Sequence, residues 1–175
     1  MLAYGDSKTV ADLYQPALAT LYAGASITTL ARLGTTVTQM QDTVDADLAA
    51  LSLPGLKFIL FNLGANTVPA MPAEAGYEAD LAYILDAFHA KWPTATVYLT
   101  QTWRRGYNAE SNTLATWQDN VIVGGRAAWA KVGPNERAFL ENGDDGVTYT
   151  SDGVHPNAAG YALTGAKWNL SVRGY

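Results

Sequence analysis

The chain begins MLAYGDSKTV, so that Ser7 follows a glycine and an aspartate directly after the apolar run Leu2 to Tyr4. A serine hydroxyl becomes a nucleophile when an imidazole takes its proton and a carboxylate orients that imidazole. Only 2 histidines are available for this. His155 lies in the stretch Asp152-Gly153-Val154-His155-Pro156, where a single turn can bring carboxylate and ring together. Pro156 biases His155 towards extended backbone and opens the helical pattern that follows, which fixes the approach of the ring. Acyl transfer also needs donors aimed at a developing oxyanion. The Ser7 N–H, the Gly34 N–H and the Asn66 side-chain amide are candidates, and a glycine at 34 lets the backbone approach a substrate closely. Plainer uses compete with these: Ser7 as a helix cap, Gly34 and Asn66 as turn residues.

These residues meet only if the fold gathers them. Five apolar, β-rich stretches alternate with helical patterns: Leu2 to Tyr4, ASITTLARL (25–33), KFILFNL (57–63), TATVYLTQ (94–101) and the weakest, RAFLE (137–141). KFILFNL is nearly continuous in apolar character, as a strand covered on both faces should be. Between the strands, Pro16 and Gly24 bracket a helix over PALATLYA. Thr38 and Gln41 form a capping box ahead of Met40, Val44, Leu48 and Leu51, a helix stopped by Pro54-Gly55. Tyr77, Leu81, Leu85, Phe88 and Trp92 mark the next helix, ended by Pro93. A longer one runs from about 110 to 131 with a bend at Gly124-Gly125, and the last begins near Pro156. This alternation predicts an α/β fold: a three-layer α/β/α sandwich of the flavodoxin-like kind, with about five parallel strands and residues 1–175 as one domain.

Ligands of such sheets bind beyond the carboxyl ends of the strands. Just after the strands come Gly5-Asp6-Ser7, Gly34, Gly64-Ala65-Asn66, Trp103-Arg104-Arg105 and NGDDGVTYTSDGVHPNAAGY (142–161). One rim therefore collects a serine, a histidine, acids, an amide and several glycines. The first strand has room for four residues although this strand order places it inside the sheet, from which we expect the chain to have been excised from a longer polypeptide.

With 49% hydrophobic and 15% charged residues, the composition suits a compact fold. A net charge of −5 with Arg104-Arg105 as the one cluster of cations argues against a nucleic-acid partner. No stretch approaches the ~20 apolar residues of a membrane span. The chain has 0 cysteines, which removes disulfides and thiolate chemistry. Neither a G-x-S-x-G elbow, a P-loop, a G-x-G-x-x-G nor an H-E-x-x-H occurs. His89, beside Phe88 on an amphipathic helix, reads as structural. Asp144 and Asp145 lack the spacing of a calcium loop, and Glu74, Glu78, Asp80 and Asp86 read as a solvated helix face and not as a glycosidase pair.

The segments YGDSKT, ARLGTTV, FNLGANTV and SDGVHPNAAGY resemble, in order and over nearly the whole chain, the four sequence blocks of the SGNH or GDSL-type hydrolases. The resemblance implies Ser7 as nucleophile, His155 as base and Asp152 as its partner. It further implies an oxyanion hole of the Ser7 and Gly34 amides with Asn66, a three-layer fold, and ester hydrolysis without a cofactor or metal. Two positions depart from the family pattern: Lys8 stands where Leu or Ile usually follows the serine, and Thr67 replaces an aspartate that supports the asparagine loop.

Trp103, Arg104, Arg105 and Tyr107 follow the fourth strand and are expected at the rim, an aromatic to stack on a sugar and an arginine to hold an acidic substituent. A solvated loop is the plainer alternative. Short segments between the blocks leave little chain for a lid, which favours small acyl groups on a bulky alcohol. The expected substrate is therefore a small ester, in particular an O-acetylated carbohydrate. The alternatives are a short-chain lipolytic esterase or thioesterase and, from another class, a non-catalytic carbohydrate-binding or adhesion module. A secreted, surface or virion location is expected, with covalent neighbours in a longer parent protein.

Overall fold

The structure is a computed structural model and describes residues 1–9, 26–140 and 148–173. The helix expected over PALATLYA, with Pro16 and Gly24, and the pair Asp144 and Asp145 lie outside the described residues. The described residues form a five-stranded sheet of β1 (Leu2–Gly5), β2 (Thr28–Ala31), β3 (Phe58–Asn62), β4 (Thr96–Gln101) and β5 (Ala130–Asn135). Its order is β2-β1-β3-β4-β5 and every pairing is parallel. The helices are α1 (Val37–Gln41), α2 (Val44–Ala50), α3 (Glu74–Lys91), α4 (Asn108–Val123), α5 (Arg137–Leu140) and α6 (Ala158–Arg173), with a 3₁₀ turn at Val68–Ala70.

Both faces of the sheet are covered, which accounts for strands that are apolar at successive positions. Leu2, Tyr4, Ile59, Phe61, Val97 and Leu99 point to one side, where they pack with Met40, Val44, Leu81, Leu85, Phe88 and Leu114. Ala3 and Leu60 point the other way, against Tyr161 and Trp168 of α6. Full burial of each large apolar side chain contributes about 1.5–3 kcal/mol. Four residues therefore suffice for the central strand β1: all are buried, and each pairs on both sides, Leu2 with Thr28 and Ile59 through to Gly5 with Ala31 and Asn62.

Three sequence expectations need correction. The fifth strand is Ala130–Asn135, whereas Arg137–Leu140 of RAFLE is helical. As an edge strand, β5 exposes Lys131 and Val132 and tolerates Pro134, so it lacks a long apolar run. Phe139 and Leu140 instead bury in a small cluster with Trp103. The long helical region ends at Val123, because Gly124 caps it and Gly125 takes a φ of 114°. The capping box is built by Thr36 and Gln39, not by Thr38 and Gln41: the Thr36 N–H donates to Gln39 Oε1 at 2.9 Å, and its hydroxyl accepts from the Gln39 N–H at 3.4 Å. Burial of Val37 and Met40 sets that register, and Asp42-Thr43 then divide the expected helix into α1 and α2.

Gly5 closes β1 where the chain passes closest to β3. A Cβ there would lie 1.9 Å from the Asn62 carbonyl oxygen and 2.4 Å from Thr9 Oγ1. Backbone cannot yield as a flexible side chain does, so Gly5→Ala is expected to cost roughly 3 kcal/mol or more. For a chain of this size that lowers Tm by about 6–12 °C. A thermal melt matching the parent's would show that the sheet centre is looser than described.

Candidate active site

In-register strand ends bring three loops together. Gly5 aligns with Ala31 and with Asn62, and the Arg32 N–H donates to the Gly5 carbonyl at 2.8 Å. Ser7 sits in a tight turn: the Thr9 N–H donates to the Asp6 carbonyl at 3.0 Å, and the Lys8 N–H to Asp6 Oδ1 at 3.0 Å. The Asp6 side chain thus closes the turn over the serine.

The opposite wall is the loop 148–157. Thr150 and Pro156 form an isolated antiparallel bridge, the Ser151 N–H donates to the His155 carbonyl at 2.9 Å, and the Gly153 N–H to Thr150 Oγ1 at 3.1 Å. Asn157 Oδ1 accepts the Gly160 N–H at 3.0 Å at the start of α6. Held this way, His155 presents Nε2 2.9 Å from Ser7 Oγ and Nδ1 2.7 Å from Asp152 Oδ2. Asp152 Oδ1 accepts the N–H groups of Val154 and His155 at 2.9 and 2.8 Å. Partial burial pushes the Asp152 carboxyl up. The His155 N–H, the His155 ring and the Val154 N–H together outweigh it, aided by attraction to the imidazole, and hold it at about 2. With the carboxylate ionised, Nδ1 carries the proton and donates to Oδ2, so that Nε2 accepts from the Ser7 hydroxyl. The dyad is open to solvent, with side chains 41% (His155) and 52% (Asp152) exposed.

Gly34 takes a φ of 69° in the exposed turn after β2, a conformation that favours glycine. Asn66 Nδ2 donates to the Thr35 carbonyl at 3.4 Å, which ties the Asn66 loop to the Gly34 turn. Thr67, where the family pattern has aspartate, is buried, and its hydroxyl accepts the Val37 N–H at 3.2 Å. It makes a second tie between the same two loops, so the substitution keeps the loop anchored.

Of the residues expected at the rim, Trp103 is corrected. It is fully buried against Phe139 and Leu140, with its indole N–H donating to Asn108 Oδ1 at 2.8 Å, because the apolar cluster beneath α5 needs a large ring. It therefore presents no face to a ligand. Arg104, Arg105 and Tyr107 remain partly exposed. Arg104 lies over the Tyr107 ring at 5.6 Å and donates to the Ala65 carbonyl at 3.1 Å. The Arg105 N–H donates to the Gly153 carbonyl at 2.8 Å and its side chain packs on Gly153, next to Asp152. Among the described residues neither arginine has a carboxylate partner.

Sequence reasoning missed Glu136. It is fully buried and bonded to Lys8. Lys8 supplied a signal, since a lysine locked beside a buried strand end needs a counter-charge.

A parallel α/β sheet with Ser, His and Asp in one hydrogen-bonded line at its carboxyl edge is the framework of a serine hydrolase. The chain belongs to the GDSL-like lipase/acylhydrolase family, whose model matches residues 3–163, and ester hydrolysis is the chemistry of that family. No curated protein matches the sequence. Among solved structures it is similar to the psychrotrophic esterase EstA from Pseudoalteromonas sp., with 14% identity, a TM-score of 0.77 and coverage of 99% of this chain and 96% of that one. A lipolytic protein of the G-D-S-L family from Veillonella parvula gives 15% identity, a TM-score of 0.74 and coverage of 95% and 93%. TesA gives 21% identity, a TM-score of 0.75 and coverage of 98% and 95%. These likenesses establish the fold.

Proposed function

We propose that the protein is a serine carboxylester hydrolase that forms an acyl-enzyme on Ser7 and removes O-acetyl groups from carbohydrate. The observation that carries the reaction is the unbroken line Ser7 Oγ–His155 Nε2 at 2.9 Å and His155 Nδ1–Asp152 Oδ2 at 2.7 Å. As Ser7 Oγ bonds to the ester carbonyl carbon, its proton passes to His155 Nε2, and Asp152 stabilises the imidazolium. The carbonyl oxygen gains negative charge and accepts from the Ser7 and Gly34 N–H groups and the Asn66 amide. The tetrahedral centre collapses, the bond to the alkoxy oxygen breaks, and His155 returns the proton to the leaving alcohol. Water then gives its proton to His155, attacks the acyl carbon, and the acid leaves as Ser7 recovers its hydrogen.

The substrate rests on the rim. Among the described residues no element covers the half-exposed His155, so a bulky alcohol can approach while a long acyl chain finds little wall to bury against. Arg104, over the Tyr107 ring, and Arg105 are cations without acidic partners among the described residues, which suits a glycan bearing carboxylates. Hydrolysis of p-nitrophenyl acetate is expected to match or exceed that of the octanoate, since longer chains gain little buried area against the described residues. Arg105→Ala is expected to raise KM for an acetylated acidic glycan about tenfold more than for a neutral one, the loss of one charge-assisted contact. A preference for long acyl chains would replace the deacetylase reading with that of a lipolytic esterase. Equal effects on acidic and neutral glycans would remove the arginines from recognition.

A further inference from the structure

The charges buried directly beneath the nucleophile take no part in the proton transfers above. Lys8 is 1% and Glu136 0% exposed, and Lys8 Nζ lies 2.5 Å from Glu136 Oε2. Nζ also donates to the Trp103 carbonyl at 2.6 Å and to Thr102 Oγ1 at 3.3 Å. Glu136 Oε2 accepts the Trp103 N–H at 3.1 Å, and Oε1 accepts Asn62 Nδ2 at 3.2 Å. Four strand ends thus meet in one buried network: the turn after β1, Asn62 of β3, Thr102-Trp103 after β4 and Glu136 after β5. Desolvating two charges is costly, and a well-packed apolar pair commonly gives equal or greater stability. Net stabilisation is therefore a weak reason for this arrangement, while its contacts join the Ser7 turn to the ends of β3, β4 and β5.

We infer that the Lys8–Glu136 pair is a positioning device, which holds the Ser7 turn in register with the Asn62–Asn66 segment and the Arg104–Tyr107 rim. Lys8 adjoins the serine, and its N–H donates to Asp6 Oδ1 at 3.0 Å across that residue. Trp103, anchored through both its N–H and its carbonyl, fixes where Arg104 and Arg105 leave the sheet. The network also controls Asp6, which is fully buried. The titratable and charged groups near it are Lys8 on its own turn, Glu136 after β5 and Tyr161 of α6. Burial pushes the Asp6 carboxyl up to about 6, Glu136 adds to this, and the Lys8 ammonium with the Lys8 and Gly64 N–H groups opposes it. Without the ammonium, Asp6 would protonate at higher pH and accept the Lys8 N–H more weakly.

The catalytic part of this inference rests on Ser7 as the nucleophile, and the experiment separates the two. Lys8→Met leaves Glu136 buried without its cation and can fail to fold, so the neutral double variant Lys8→Met/Glu136→Gln carries the test. It is expected to melt within a few degrees of the parent, because both charges are gone. Its kcat on p-nitrophenyl acetate is expected to fall about 10- to 100-fold with KM changed less than about threefold, a loss of alignment. The acidic limb of kcat/KM should move to higher pH, since the Lys8 attraction on Asp6 exceeds the Glu136 repulsion. Amide exchange over residues 6–9 and 102–104 should quicken at unchanged Tm. Parental kcat, pH profile and exchange in a variant of parental Tm would overturn the proposal and leave the pair a packing feature. Failure of the nucleophile assignment appears elsewhere, as retained turnover in Ser7→Ala, while the exchange result still decides whether the pair orders these loops.

Discussion

Ser7→Ala is expected to lower kcat/KM on p-nitrophenyl acetate by roughly 10⁴- to 10⁶-fold, with the fold unchanged. The size follows from the proposed mechanism, in which Oγ bonds to the acyl carbon and His155 Nε2, 2.9 Å away, takes its proton. Removing Oγ abolishes the covalent route and leaves what donors and binding supply alone. The hydroxyl's contribution to stability is one partly buried hydrogen bond, about 1 kcal/mol, so the circular-dichroism spectrum should match the parent's and Tm should fall by a few degrees at most. Because Ser7 and His155 act as a unit, Ser7→Ala/His155→Ala should lose hardly more activity than either single variant. An electrophilic phosphonate ester should add its phosphonyl mass to the peptide holding Ser7 in the parent and not in Ser7→Ala. Turnover within tenfold of the parent in Ser7→Ala would place the chemistry on another group.

Much of this was legible in the sequence, for physical reasons that differ by element. A central parallel strand must be apolar on both faces, so KFILFNL announces β3 from composition alone, and its neighbours follow from right-handed crossovers. The edge strand β5 carries Lys131 and Val132 outward and a proline, and nothing in its period separates it from loop, whereas the short helix after it has the apolar residues. Ser7, Gly34 and Asn66 were expected at one rim because each closely follows a strand end, where such folds collect ligands, whereas Asp152 and His155 lie well beyond β5 on the loop before α6. Trp103 was misjudged for the complementary reason. Sequence position places a backbone at the rim but does not say whether a ring turns outward or, as here, into the Phe139–Leu140 cluster. Glu136 was invisible until the fold brought it to Lys8 across 128 residues of chain.

Asp152→Asn is expected to reduce kcat by roughly 10² to 10⁴ at neutral pH, a loss that tests the tautomer and not merely the presence of a partner. In the parent, Oδ2 accepts the Nδ1 proton at 2.7 Å, leaving the Nε2 lone pair for the Ser7 proton. An asparagine amide can offer N–H to Nδ1 instead. That stabilises the tautomer protonated at Nε2, which has no lone pair to accept from the serine. The lower end of the range reflects exposure, since water reaches both His155 and Asp152 and can support the productive tautomer. Ionisation gives a second readout. The folded-state carboxyl lies at about 2, below the ordinary aspartate value of 3.8. Its stabilising contribution is therefore fully present above the unfolded value and is lost as pH falls through the folded one. The Tm difference between parent and Asp152→Asn should be constant from about pH 5 upward and shrink between about pH 4 and 2. A parental kcat in the variant would mean that the loop 148–157 orients the imidazole without its carboxylate. A Tm gap that does not shrink as pH falls from about 5 to about 2 would show that it does not arise from the ionised carboxylate.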